Sequence, residues 1–218
     1  MDNIVAEPVV VMPVERKNDT YALRICLSQG EFTPGMMKTV IETMAKFDLT
    51  SLRVTTGQRL NLEGIPKDKL DEVVDSIGSS VKKAPPTVGV CTGVGVCKFG
   101  VQDSRGMGKK LLEVIKQNAP YPFKIKSGVS GCKIGCGFSN VRDIGLVGTP
   151  KGWDVLFGGG AVRNVRGGVK IGSKLGADEA LALVEKALAF YKENGRKRER
   201  TSGFVNRIGE EALLEALK

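Results

Sequence analysis

The chain has 218 residues, with 33 Lys and Arg against 24 Asp and Glu for a net charge of +9, a length that can bury one α/β core or a core with a smaller lobe. It contains no histidine, which excludes a Ser-His-Asp triad, an HExxH zinc site and a histidine-ligated haem. No run is long and apolar enough to span a membrane, and the opening Met1-Asp2-Asn3 has neither a basic lead nor an apolar block, so a cytoplasmic protein without membrane insertion is expected.

In chain order, the apolar stretch Val9 to Val14 reads as an edge strand or arm. Tyr21 to Leu27 alternates, with Leu23, Ile25 and Leu27 on one side and Arg24 and Cys26 on the other, the period of a strand. Thr33 to Phe47 predicts a helix with an apolar stripe of Met37, Val40, Ile41 and Met44. Leu52 to Thr56 and Leu60 to Leu62 predict strands around the turn at Gly57. A helix from near Pro66 buries Leu70, Val73, Val74 and Ile77 and stops at Gly78. Residues 1–80 thus read as a β-α-β-β-α lobe, followed by the linker Lys82-Lys-Ala-Pro-Pro and a second unit over 81–218.

In that second unit Thr87 to Val90 runs as a strand into the first of two cysteine pairs, and Asp103 is placed to cap a helix carrying Leu111, Leu112, Val114 and Ile115. Phe123 to Val129 reads as extended and delivers the second pair; two residues apart on it, Lys124 and Lys126 would share one face. Asp143 to Val147 and Trp153 to Phe157 follow as strands, then a helix from Ala177 to Tyr191 closed by Gly195. Arg196 to Arg200 reads as a solvated basic face suited to steering an acidic partner, and Gly209 to Leu217 as a short amphipathic helix.

The pairs are Cys91-x5-Cys97 and Cys132-x3-Cys136, set among glycines 93, 95, 131, 135 and 137. Four thiolates suit zinc or an iron–sulfur cluster. Structural zinc usually starts from a tighter knuckle, and the glycines let the backbone approach a bulky inorganic core, so the cluster leads. Zinc, reduced core thiols and disulfides stay open, the last disfavoured by the odd count of five. The basic excess suits nucleic acid or an anionic cofactor or substrate. The basic stretches lie near the cysteines and no nucleic-acid motif is present, so an internal anion is expected rather than nucleic acid.

With those residues in view, the chain resembles the siroheme and [4Fe-4S] sulfite and nitrite reductases, most of all the small assimilatory-type sulfite reductases. The four-cysteine pattern carries the resemblance, with Asp143-Ile-Gly-Leu-Val-Gly148, Gly152-Trp-Asp-Val, the loop Gly158-Gly-Gly160 and Lys124-Ile-Lys126. Cys97-Lys-Phe-Gly-Val-Gln-Asp-Ser104 also fits, and Thr55-Thr-Gly-Gln-Arg59-Leu-Asn-Leu-Glu-Gly64 is similar to a substrate-side motif of the NADH-dependent nitrite reductase large subunits and the small assimilatory-type sulfite reductases.

The resemblance implies an α/β (α+β) fold, a ferredoxin-like half-domain followed by a siroheme and [4Fe-4S] domain. It implies a cluster on Cys91, Cys97, Cys132 and Cys136, with Cys136 also ligating siroheme. Lys124, Lys126 and Arg59 would serve the oxyanion, and Arg24, Arg53, Arg142, Asn164 and Arg166 the carboxylates of the cofactor. The implied activity is six-electron reduction of sulfite to sulfide with electrons from a separate donor such as a ferredoxin. The alternatives are nitrite reduction to ammonia and a non-catalytic electron-transfer or tetrapyrrole-handling role. A single half-domain further implies a homo-oligomer or larger complex. Two departures bear on substrate: Cys26 stands where many sulfite reductases have a second arginine, and Gly57 where they have another.

Overall fold

The computed structural model describes residues 4–162 and 165–218, and the chain divides into two compact units, Met1–Pro85 and Pro86–Lys218. The fold is the expected α/β one, a half-domain lobe followed by a larger α/β unit. Among the described residues no helix is long and apolar enough to cross a membrane.

The first unit contains β1 (Val9–Glu15), β2 (Thr20–Ile25), α1 (Pro34–Lys46), β3 (Ser51–Val54), β4 (Leu60–Pro66), α2 (Leu70–Ile77) and β5 (Gly78–Ser80). Its sheet runs β3-β4-β2-β1-β5, antiparallel except where β5 lies parallel to β1. Val9, Val11, Leu23, Ile25, Leu62 and Ile65 bury one sheet face with Val40 of α1 and Val73 and Ile77 of α2. Thr33 caps α1 by accepting from the Met36 N–H at 3.1 Å, with Pro34 in the first turn where its missing donor costs nothing.

Two expectations change here. β1 is no edge strand: it lies between β2 and the short β5, a strand that three residues of Gly-Ser-Ser could not announce. The inward stripe of α1 is Met36, Val40 and Met44 beside Thr39 and Thr43, while Met37 and Ile41 face outward. The two threonines resolve their polarity at the helix face, Thr39 donating to the Glu7 carbonyl at 2.7 Å.

The second unit contains β6 (Val88–Val90), α3 (Ser104–Gln117), β7 (Ser127–Ser130), β8 (Ile144–Thr149), β9 (Gly152–Phe157), β10 (Val169–Leu175), α4 (Ala177–Asn194), α5 (Thr201–Ile208) and α6 (Glu210–Ala216). The sheet order is β10-β9-β8-β7-β6; β6, β7 and β8 are parallel, and β9 and β10 continue antiparallel. Asp103 caps α3 as expected, accepting from Gly106 N–H at 2.9 Å. Tyr191 of α4 meets Phe157 and Phe204 edge-on, at 6.3 and 5.4 Å between centroids, which seats α5 against the core. The pattern gave no sign of β10 or α5, and β7 begins only at Ser127, so Lys124 and Lys126 lie on the irregular approach to it rather than on a strand.

β7 and β8 pair with Gly128 opposite Gly145. A Cβ on Gly145 would sit 1.9 Å from the Ser139 carbonyl oxygen, and one on Gly128 would sit 2.4 Å from that of Gly137. The segment after the second cysteine pair therefore lies in a trench that only glycine leaves open.

Candidate functional site

Because β6 and β7 are adjacent and parallel, with Val90 opposite Val129, the segments that follow them leave the sheet at the same end. This is where open α/β sheets place ligands. Cys91 follows β6 and Cys132 closely follows β7. The Cys91 N–H donates to the Val129 carbonyl at 3.2 Å, and its sulfur accepts from the Gly131 N–H at 3.1 Å. The first loop then returns, so that Val101 and Gln102 N–H groups both donate to the Gly131 carbonyl, at 2.9 and 3.0 Å. A Cβ on Gly131 would lie 3.0 Å from Gly93 Cα, and one on Gly137 only 2.4 Å from the Val129 carbonyl oxygen. Glycine is what permits the two thiol loops to touch each other and the sheet.

All five cysteines are free; Cys91, Cys97 and Cys132 are half-buried and Cys136 is exposed. Among the described residues, no three Cys, Asp or Glu side chains stand in one group able to hold a metal ion. The donor chemistry nonetheless suits a thiolate-ligated centre: two hydrogen-bonded loops carry four soft sulfur ligands, with no imidazole in the chain. Val94, Val96 and Phe99 on the first loop and Ile134 and Phe138 on the second are each half or more exposed. Apolar side chains surrounding thiols suit the faces of a flat macrocycle. Arg142 adds a cation, stacked 5.6 Å over Phe138, and its buried Nε lacks a hydrogen-bond partner. A buried donor without a partner is an invitation to an anionic ligand. The residues present therefore fit both groups.

Lys124 and Lys126 belong to the same unit. Lys124 Nζ stands 5.8 Å over the Phe123 ring, and the Arg200 guanidinium stands 5.9 Å from that ring. Lys126 is exposed as a residue, yet protein crowding its ammonium is the largest influence, pulling its pKa below the usual lysine value. Arg200, Lys124 and Arg142 act in the same sense, and Asp143 opposes them. Arg200 corrects an expectation: the end of the Arg196–Arg200 stretch is not a solvated face, because Arg200 turns inward onto the fully buried Asp143. Sequence reasoning missed Asp143, Arg200 and Thr201 as a group; their only signal was an acid directly before an apolar strand.

Of the expected cofactor contacts, Arg166 is held by Asn206 at 2.8 Å and Glu210 at 2.6 Å. Its backbone pairs with that of Gly160 in both directions. Asn164 lies outside the described residues.

In the first unit, register sets Arg24 of β2, Asn61 of β4 and Arg53 of β3 in one row, on the sheet face opposite the core. Arg53 is exposed and ion-paired with Glu63 at 3.0 Å. Arg59 sits in the β3–β4 turn, where the Thr55 N–H donates to its carbonyl at 2.7 Å and its own Nη2 donates to the Pro85 carbonyl at 2.6 Å. Burial lowers the proton affinity of its guanidinium, Cys26 opposes, and Arg24 adds to the lowering. Burial likewise pushes the Cys26 thiol up, against Arg59 and Arg24, so this cysteine is held as the neutral thiol.

Residues 82–218 match the family described as the nitrite and sulphite reductase 4Fe-4S domain, and residues 14–80 the nitrite/sulfite reductase ferredoxin-like half domain. An assimilatory-type sulfite reductase of Nitratidesulfovibrio vulgaris is 36% identical over 208 residues, covering 94% of this chain and 95% of its own. The NAD(P)H nitrite reductase of Bacillus subtilis is 29% identical over 198 residues, of which the match spans 89% of this chain but only 24% of the larger protein. Among solved structures, the Mycobacterium tuberculosis NirA protein superposes with a TM-score of 0.73 at 20% identity, over 93% of this chain and 41% of that one. A dissimilatory sulfite reductase I superposes with a TM-score of 0.74 at 15% identity, over 99% of this chain and 75% of its counterpart. At those identities the two superpositions speak for the fold.

Proposed function

The chain belongs to the nitrite and sulphite reductase family, and from that premise we propose that it reduces sulfite to sulfide with electrons from a separate donor protein such as a ferredoxin. The observation that carries the proposal is the joining, within one unit, of four thiols on two interlocked loops to a lysine surrounded by other cations. The near full-length match to an assimilatory-type sulfite reductase supports sulfite as the substrate. Residues 1–80 form the half-domain in this reading, and 81–218 hold the cofactors.

Cys91, Cys97, Cys132 and Cys136 would hold a [4Fe-4S] cluster, and Cys136 would also ligate siroheme. When bound, the coupled pair would pass on the six electrons of the donor protein one at a time. Arg142 offers its unpartnered Nε to a cofactor carboxylate, with Arg24, Arg53, Arg166 and Asn164 as further contacts. Each oxygen leaving sulfite as water takes up two protons, so the site needs acids that reload from solvent. Lys126 suits this because an ammonium crowded by protein, and then by neighbouring cations, releases its Nζ proton more readily than a free lysine, while its exposure keeps it in touch with water. Lys124 adds positive charge for a dianion, and the planar fork of Arg59 suits an oxyanion or a cofactor carboxylate. The reading places the protein in the cytoplasm, as a homo-oligomer or part of a larger complex.

Nitrite reduction to ammonia is the second reading, favoured by the neutral Cys26 and by Gly57 at positions where many sulfite reductases carry arginine. The test is anaerobic purification with iron and labile-sulfide analysis and an absorption spectrum, then turnover of sulfite and nitrite with a reduced donor. A Soret band with cluster iron and a larger kcat/KM for sulfite is expected. A larger value for nitrite selects the second reading, and a colourless zinc protein rejects both.

A further inference from the structure

Asp143 takes no part in the roles assigned above, yet its carboxylate is fully buried and collects donors from two distant segments. Arg200 reaches it through Nε at 3.1 Å and also through Nη2; the Thr201 hydroxyl donates to it, and so does the Lys126 backbone N–H, at 2.7 Å. A buried carboxylate is tenable only with its charge paired and its oxygens occupied, and here both conditions are met. The same carboxylate thus grips the backbone of Lys126 and the guanidinium of Arg200.

We propose that Asp143, through Arg200, is a positioning residue for Lys126: the buried pair fixes the backbone from which this lysine projects and keeps a second cation close to its ammonium. This rests on the reading of Lys126 as proton donor. The charged groups acting on that ammonium are Arg200, Lys124 and Arg142, which favour release of its proton, and Asp143, which resists. Arg200 acts more strongly than the carboxylate that holds it, so the pair as a whole favours release. A device that only fastened α5 to the sheet would use the same hydrogen bonds and leave the lysine unaffected.

The two roles separate in a measurement that needs neither cofactor nor turnover. Trace acetylation of the full-length chain with acetic anhydride over a pH series, quantified by peptide mass spectrometry, reports the neutral fraction of each lysine. Lys126 is expected to label at lower pH than the exposed Lys67. In Arg200→Gln its profile moves to higher pH and labelling at pH 8 falls several-fold. Arg200→Lys keeps the original profile, as does Thr201→Val, which removes a bond to the carboxylate without removing a charge. Should Arg200→Gln fail to fold, the double variant Asp143→Asn, Arg200→Gln removes the pair without stranding either charge, and its Lys126 profile moves the same way by less. Unchanged Lys126 labelling in Arg200→Gln, or in the double variant, overturns the proposal, as does a wild-type Lys126 that labels like Lys67. A chain that reduces neither sulfite nor nitrite counts against the functional reading alone.

Discussion

In the first unit Arg53 meets Glu63 across neighbouring strands, whereas in the second Lys126 has three cations acting on it and touches its nearest carboxylate only through its own backbone. The two arrangements serve different ends. A cation matched by an acid on its own sheet adds to the shape of the sheet and offers little net charge to a ligand. A cation fixed by main-chain contacts and crowded by protein and like charges gives up its proton more readily, as a donor to a bound anion must. The crowded cations of the second unit therefore act together.

The widest gap between the units is expected at sulfur. Cys132→Ser should lower iron and labile sulfide to background, while Cys26→Ser should leave both at wild-type content; equal loss in the two variants would erase the distinction. At the charges, Lys126→Gln should lower kcat by about 10²-fold or more, against roughly twofold or less for Lys69→Gln, whose ammonium pairs with Glu72 at 3.0 Å on the surface of the first unit. Steady-state kinetics with sulfite would show whether the contrast holds.

The same substitution made in both units sharpens the comparison. Gly137→Ala drives a Cβ to 2.4 Å from a backbone carbonyl and should cost about 3 kcal/mol or more in denaturant unfolding. Gly64→Ala meets nothing within 4 Å, and its positive φ of 80° alone should cost about 1 kcal/mol.

The smallest effect belongs to Glu199, which Arg207 chiefly holds from the usual 4.5 down to about 2 by hydrogen bonding, against opposing desolvation. A carboxyl depressed by folding stabilises above its unfolded pKa, and that contribution fades as the pH falls through the folded value. Acid unfolding of Arg207→Ala should therefore differ from wild type most above pH 4.5, with the two curves converging toward pH 2.

The two thiol loops were legible in the sequence because each is local: a cysteine pair among glycines occupies only a few residues. The Asp143–Arg200 pair was not, since 57 residues separate its members and a charge run such as Arg196–Arg200 reads as solvated until a helix turns one member inward. Strand position was also hidden. The apolar pattern of Val9 to Val14 fixes which faces are buried but not which neighbours pair with them, so β1 could be read as an edge while β5 formed its outer partner. On α1, Met37 and Ile41 had the right chemistry for the core, and the threonines took the inward face because their hydroxyls found partners there, carbonyls for Thr39 and the Ser76 hydroxyl for Thr43.

The trench between β7 and β8 bears on how this chain tolerates inheritance. Every missense change in the codons for Gly128 and Gly145 adds at least a Cβ, and at each position that atom falls on main chain rather than on a side chain able to swing away. The segment carrying Cys132 and Cys136 runs on into that main chain, so these two codons, like that of Gly137, stay closed to a lineage. Random mutagenesis scored only for folded protein, with no selection for redox chemistry, should return glycine at both.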